Sequence, residues 1–220
     1  MKISIHPSIY RAAPYLVVAA IECTVRNSIY NKALWQEISA FSDEFGQTHT
    51  MADIKNRPAI AATREAYKQL GKEPNRYRPS GEALCRRIVK GDSLYQISTL
   101  VDLINLISLK TGYSIGGFDA DKINGNVELG VGKANEEFDA IGRGLLNIEN
   151  LPVYRDCTGG IGTPTSDVER TKISLDTSRL LMLVNAYSGE EGLQKAVAYS
   201  QDLLKKYAYA KNIKIRKIAK

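Results

Sequence analysis

From Leu16 to Ile21 the chain is uninterrupted apolar residue, and the wider run from Tyr15 to Val25 is broken mainly by Glu22. A strand with apolar side chains on both faces has to be covered on both faces, so this segment predicts a buried strand inside a layered fold. The same run is far short of the roughly 20 residues needed to cross a bilayer. The N-terminus lacks the charged-then-apolar order of a secretory signal, so a cytoplasmic location with no membrane partner is expected by elimination. Hydrophobic residues at 44% and charged residues at 25% are an ordinary globular balance.

Other segments supply the layers. Lys2 to Ile5, Pro152 to Asp156 and Arg179 to Ala186 read as strands, and Val127, Leu129 and Val131 alternate as in a half-buried one. Asn124-Gly125 is a hairpin-type turn. A helix is expected from about Ser28 to Glu44, carrying Ile29, Ala33, Trp35, Ile38 and Phe41, and another from Pro58 to Leu70 that stops at Gly71. Ser80 is placed to cap a helix from Gly81 to Lys90. The next helix carries Leu94, Ile97, Val101 and Ile104 and stops before Gly112, a natural left-handed terminus. Leu193, Val197, Ser200, Leu204 and Tyr207 form one stripe on a final helix. The expected class is α+β, with helices packed on a mixed or antiparallel sheet. No repeat or linker divides the chain, so 1–204 is read as one domain and 205–220 as a basic tail.

Charge supports that tail. Of 30 basic residues, the seven at Lys205, Lys206, Lys211, Lys214, Arg216, Lys217 and Lys220 fall in a stretch with no acidic residue, leaving 23 against 24 acidic ones elsewhere. A basic end is commonly a solvated one, and it can also hold RNA phosphates. The three cysteines, Cys23, Cys85 and Cys157, are widely spaced without a CxxC, and only His6 and His49 accompany them. That composition predicts no metal site and a reducing compartment.

Four local features bear on function. Arg76, Arg78, Arg86, Arg87 and Lys90 cluster around a helix start, where guanidinium forks and backbone N–H groups suit phosphate, although surface helices also carry such charge for solubility. Asp102 and Asn105 lie on one face of an apolar helix, either orienting a ligand or tying down a loop. Gly112 to Asp119 holds the adjacent pair Gly116 and Gly117, which lets backbone or ligand approach closely. Finally, Asp156 to Asp167 is a glycine-rich loop flanked by hydroxyls, including Gly160, Gly162, Thr163, Thr165 and Ser166. It lacks the lysine ending of a P-loop and is not a GxGxxG fingerprint. Its N–H and O–H donors suit a carboxylate or phosphate. No histidine supports Cys157 as a nucleophile.

These features occur in a familiar order. LVDLINLISLKTGYSIGGFDADKINGNVELG, from Leu100, and VYRDCTGGIGTPTSDVERT, from Val153, resemble the B3/B4 domain of the bacterial phenylalanyl-tRNA synthetase beta subunit. There the segments read VD, TN, G-Q-P-L-H-A-F-D and a hairpin, then a strand, a glycine loop and S-x-V-x-x-T. The likeness covers roughly Arg76 to Thr171. In the synthetase this domain hydrolyses tyrosine wrongly attached to the phenylalanine tRNA. The resemblance implies a pocket for the aminoacylated 3′ end between the helix-to-strand loop and the glycine loop, drawing on Asn105, Gly116, Gly117, Asp119, Gly160, Gly162, Thr163 and Thr165. By this alignment the family's histidine falls on Gly116 and its glutamate on or near Thr165, so no catalytic residue and no cofactor is assigned. Three readings follow: an RNA- or tRNA-binding domain protein, a hydrolase deacylating a mischarged aminoacyl-tRNA, and a pocket for an amino acid-like small molecule without RNA.

Overall fold

A computed structural model describes residues 1–220. The first half runs β1 (Ile3–Ile5), α1 (Pro7–Ala12), β2 (Val17–Thr24), α2 (Lys32–Thr48), α3 (Met51–Ile54), α4 (Pro58–Gln69), α5 (Ser80–Val89) and α6 (Thr99–Thr111). Then come β3 (Ile115–Asp119), β4 (Val127–Val131), β5 (Asp139–Ala140), β6 (Gly144–Leu145), β7 (Pro152–Arg155), β8 (Gly160–Gly162), β9 (Arg179–Ala186), α7 (Leu193–Ala208) and β10 (Lys211–Ile218).

Two four-stranded sheets form, in the orders β10-β2-β9-β3 and β1-β4-β7-β8. The first is antiparallel throughout, while β1 lies parallel to β4 in the second. The apolar run explains how they stack. On β2, Val17, Ala19, Ile21 and Cys23 join a core with Leu34, Cys85, Leu103, Ile107 and Leu204 from the helices. Val18 and Ala20 join a second core with Ile3, Leu129, Val153 and Ile161 of the other sheet. The first sheet is therefore the middle of three layers, and each fully buried Val, Leu or Ile contributes roughly 1.5–3 kcal/mol. The α+β class with a mixed and an antiparallel sheet is as expected.

Several boundaries moved, each because a distant group settles a helix end. Asn31 caps α2 by accepting from Leu34 N at 3.1 Å, while Ser28 instead bonds Thr99 at the start of α6. Ile29, expected on the buried face of that helix, is 68% exposed. The helix expected from Leu94 begins at Thr99, because Asn27 Oδ1 accepts from Leu100 N at 3.0 Å. Ser80 is the first residue of α5 rather than its cap, and Pro79 holds the capping position without a side-chain bond. Gly112, at φ +81°, ends α6 as predicted. The Asn124-Gly125 turn joins no hairpin, since β3 and β4 belong to different sheets.

The expected basic tail is the largest correction. Residues 205–208 finish α7, and Lys211–Ile218 pairs with β2 as the outer strand of the first sheet. Arg216 binds Glu22 and the Met1 carbonyl, and Lys217 sits 3.1 Å from Glu190. The lysines serve an edge strand, where charge discourages pairing with another chain.

Asp102 is buried and accepts from Trp35 Nε1 at 2.8 Å and Ile97 N at 2.9 Å, so it ties α2 and the loop before α6 together. Burial pushes its carboxyl pKa up, against these donors. Replacing Trp35 with Phe strips one donor from that carboxylate and is expected to cost about 1–3 kcal/mol in urea unfolding. An unchanged midpoint would show that the bond adds nothing.

Candidate functional site

A cavity of about 420 Å³ opens beside β3, the strand at the opposite edge of the first sheet from β10. Seven parts of the chain meet there: the start of α5 (Ser80, Leu84), Ile97, the side of α6 (Val101, Ile104, Asn105, Ser108), β3 (Ile115, Gly117), Ile141, the loop after β8 (Thr163, Ser166, Asp167), and Lys172-Ile173. Aliphatic side chains form much of the wall, with hydroxyls, one amide and one carboxylate among them. That mixture is typical of small-ligand pockets.

Local chemistry holds the loop. Thr163 Oγ1 accepts from Thr165 N at 3.1 Å and Ser166 N at 3.0 Å, and Thr163 N donates to the Ser166 carbonyl at 2.9 Å. Ser80 N donates to the Pro164 carbonyl at 2.7 Å, pinning the start of α5 to the loop. The loop thus spends several of its donors on itself, leaving fewer for a ligand than its composition suggests.

Asn105, Gly117 and Thr163 line the cavity; Gly116, Asp119, Gly160, Gly162 and Thr165 do not. Thr165 is buried, donating to the Tyr77 carbonyl at 3.0 Å and bonding Tyr67 OH at 2.9 Å, so it fastens the loop to α4. Asp119 accepts from Thr177 Oγ1 at 3.0 Å and lies 3.4 Å from Lys122, closing the turn after β3. Gly160 leaves room for Phe138. Gly116 faces away from the cavity: a Cβ there would meet the Phe118 ring at 2.8 Å and approach Asp167 Oδ1 at 3.8 Å. A Cβ at Gly162 would meet the same carboxylate oxygen at 2.5 Å. These two glycines make space for Phe118 and Asp167.

Asp167 is the residue that the motif reading passed over. It is half-buried and borders the cavity, and the one donor to its carboxylate is Gly117 N at 3.4 Å. Burial without a counter-charge pushes its carboxyl pKa up to about 8. Its sequence signal was slight, an acidic side chain closing a Thr/Ser-rich turn.

The basic cluster is largely committed elsewhere. Glu82 is wholly buried and pairs with Arg64 at 2.8 Å, Arg86 at 2.7 Å and Arg78 at 3.6 Å. Arg87 donates to the Ser93 carbonyl and lies over the Tyr95 ring, and Arg76 lies over Tyr77 at 5.7 Å. Lys90 is the residue that closes α5. Cys23 and Cys85 are buried, with burial pushing both thiols up, Cys23 to about 11, so they behave as small apolar residues. No three His, Cys, Asp or Glu side chains come together in a way that could hold a metal ion, and no helix is long and apolar enough to cross a membrane.

The fold is thus α+β in three layers, with a mixed apolar and polar cavity walled by a helix, an edge strand and a glycine loop. The chain belongs to the B3/4 domain family, whose model matches residues 62–219. Comparison with curated proteins returns no match. Among solved structures it is similar to an N-terminal fragment of the phenylalanyl-tRNA synthetase beta subunit from Pyrococcus horikoshii, at 15% identity and a TM-score of 0.49. The match covers 98% of this chain and 50% of that one, so the chain spans about half the length of that fragment.

Proposed function

We propose that this chain is an RNA-binding B3/4-domain protein whose cavity receives the aminoacylated 3′ end of a tRNA. The observation that carries the reading is the meeting of the helix-to-strand segment and the glycine loop around one cavity of about 420 Å³. This is the arrangement implied by the resemblance to the synthetase domain, and family membership supports it. Arg76, four residues before Ser80 at the cavity wall, and Lys90 at the end of α5 are the candidates to meet the phosphates that precede the terminal nucleotide.

Retention of charged and uncharged tRNA on the protein tests this. Charged tRNA is expected to be held more tightly, with retention falling as salt rises, because each phosphate contact releases counterions. Filling the cavity by Ile104→Trp is expected to abolish the preference for charged over uncharged tRNA. Equal retention of both forms by the unaltered protein would overturn the reading. Loss of the ester during incubation would make the module a deacylase, using a water held by the loop's donors.

One observation favours a second reading, an amino acid-like small molecule without RNA. Glu82 engages three guanidiniums, and the lysine-rich β10 lies at the far edge of the sheet, so the one cation lining the cavity is Lys172, itself paired with Glu169. Thermal stabilisation by a free amino acid, without tRNA retention, is its signature.

A further inference from the structure

We infer that Asp167 is the group that recognises a protonated amine in this cavity, and that the ligand bearing this amine has an aliphatic rather than a phenolic side chain. The inference rests on the reading of the cavity as a ligand site, and it names the ligand chemistry and the residue that reads it.

The case begins with how the other shielded carboxylates are satisfied. Glu82 has three arginines, Asp156 has Arg170 at 2.9 Å, Glu136 has Arg155, and Asp102 has an indole and a backbone N–H. Asp167 has no cation and one long backbone donor. A half-buried carboxylate without a cation is costly, and it becomes favourable when a ligand brings the missing charge. The groups around it suit an ammonium. Ser80, Ser108 and Ser166 offer hydroxyl oxygens as acceptors, while Ile104 and Ile115 offer aliphatic surface for the rest of the ligand. Thr165 bonds Tyr67 and the Tyr77 carbonyl behind the loop and presents no hydroxyl to the cavity. The wall of Leu84, Val101, Ile104, Ile115 and Ile173 matches a branched aliphatic side chain better than a phenol, whose hydroxyl would have to be desolvated against it.

The charged and titratable neighbours are few. Lys172 lines the same cavity and is paired with Glu169. Beneath the loop, the Tyr154 phenol donates to Asn185 Oδ1 at 2.6 Å. The residues of α5, α6 and β3 at the cavity are uncharged. Without ligand, Asp167 holds a proton near neutral pH, and a bound ammonium makes it ionise. The amine arrives protonated, and the carboxyl proton leaves to the buffer.

Calorimetric titration with leucine methyl ester and N-acetyl-leucine methyl ester tests the inference. The free amine is expected to bind about tenfold or more tightly than the acetylated ester, as for one enclosed charge pair. Near pH 7 its heat is expected to vary with the ionisation heat of the buffer, because a proton is released. Asp167→Asn is expected to bring the two esters within about twofold and to remove the buffer dependence. Tyrosine methyl ester is expected to bind less tightly than leucine methyl ester. Equal binding of free and acetylated esters, tighter binding of the tyrosine ester, or an unchanged preference in Asp167→Asn would overturn it.

A parallel arm compares leucyl-tRNA with N-acetyl-leucyl-tRNA. Retention of both equally sinks the amine inference while leaving the tRNA reading intact. Amine-selective binding of the small esters with no tRNA retention does the reverse.

Discussion

Asp167→Asn is expected to raise the unfolding free energy at pH 8 and to leave it nearly unchanged at pH 4. In the folded chain, burial without a counter-charge pushes the Asp167 carboxyl from the ordinary carboxylate range up to about 8, so the folded state keeps a proton that the unfolded state releases. Stability from this group is complete below about pH 4, where both states are protonated, and is lost as pH rises toward 8. A displacement of that size sets an upper bound of roughly 5 kcal/mol at pH 8. Water entering through the cavity lowers the expected gain to about 2–3 kcal/mol. An asparagine side chain keeps the shape without the charge, so it does not incur this loss. Urea unfolding of both proteins at pH 4, 6 and 8 checks it: a difference that does not widen with pH would mean that Asp167 ionises freely. A gain in stability paired with loss of amine binding is the trade expected of a functional site.

Glu82→Ala carries the opposite sign. Glu82 is 0% exposed and holds Arg64, Arg78 and Arg86 around one carboxylate. Removing it leaves three guanidiniums crowded together, with Arg64 and Arg86 largely shielded, and is expected to cost about 3–5 kcal/mol. The loss should appear as a lower urea midpoint at neutral pH. Because Ser80, two residues earlier, lines the cavity and bonds Pro164, the same change should loosen the loop. A protein that unfolds normally after Glu82→Ala would show that water already solvates these charges.

The two variants separate the roles of charge in the molecule. Glu82 organises guanidiniums that composition alone assigns to phosphate, whereas Asp167 is left without a cation in a cavity. Arg78 and Arg86 are therefore weaker candidates for RNA contacts than their spacing suggests, and Arg76 and Lys90 keep that role within the proposal.

Where short-range patterns act alone, sequence and structure agree. The stripe from Leu193 to Tyr207 is buried on α7, Pro58 opens α4, and Gly112 ends α6 in a left-handed conformation. Helix periodicity, a missing N–H and a missing Cβ are properties that neighbouring residues express by themselves. The continuous apolar run likewise announced a strand covered on both faces. The B3/4 family was legible in the VD and SIGGFD segments, since ordered motifs survive without coordinates.

Tertiary structure decided the rest. Asn27 sets the start of α6 from 73 residues away, and the basic end became β10 because β2 had an unpaired edge. In the candidate site, Thr165 turned to the core, Gly116 to Phe118, and Asp167 sits between the Phe118 ring and the cavity it borders. Adjacent residues in a loop cannot reveal which of them points inward, because that depends on what packs behind it. Sequence by itself determined the run around Gly116, Gly117 and the glycine loop, and with it the family and the buried central strand. Only the packed fold determined which carboxylate lacked a partner, because a missing counter-charge is a property of the three-dimensional surroundings.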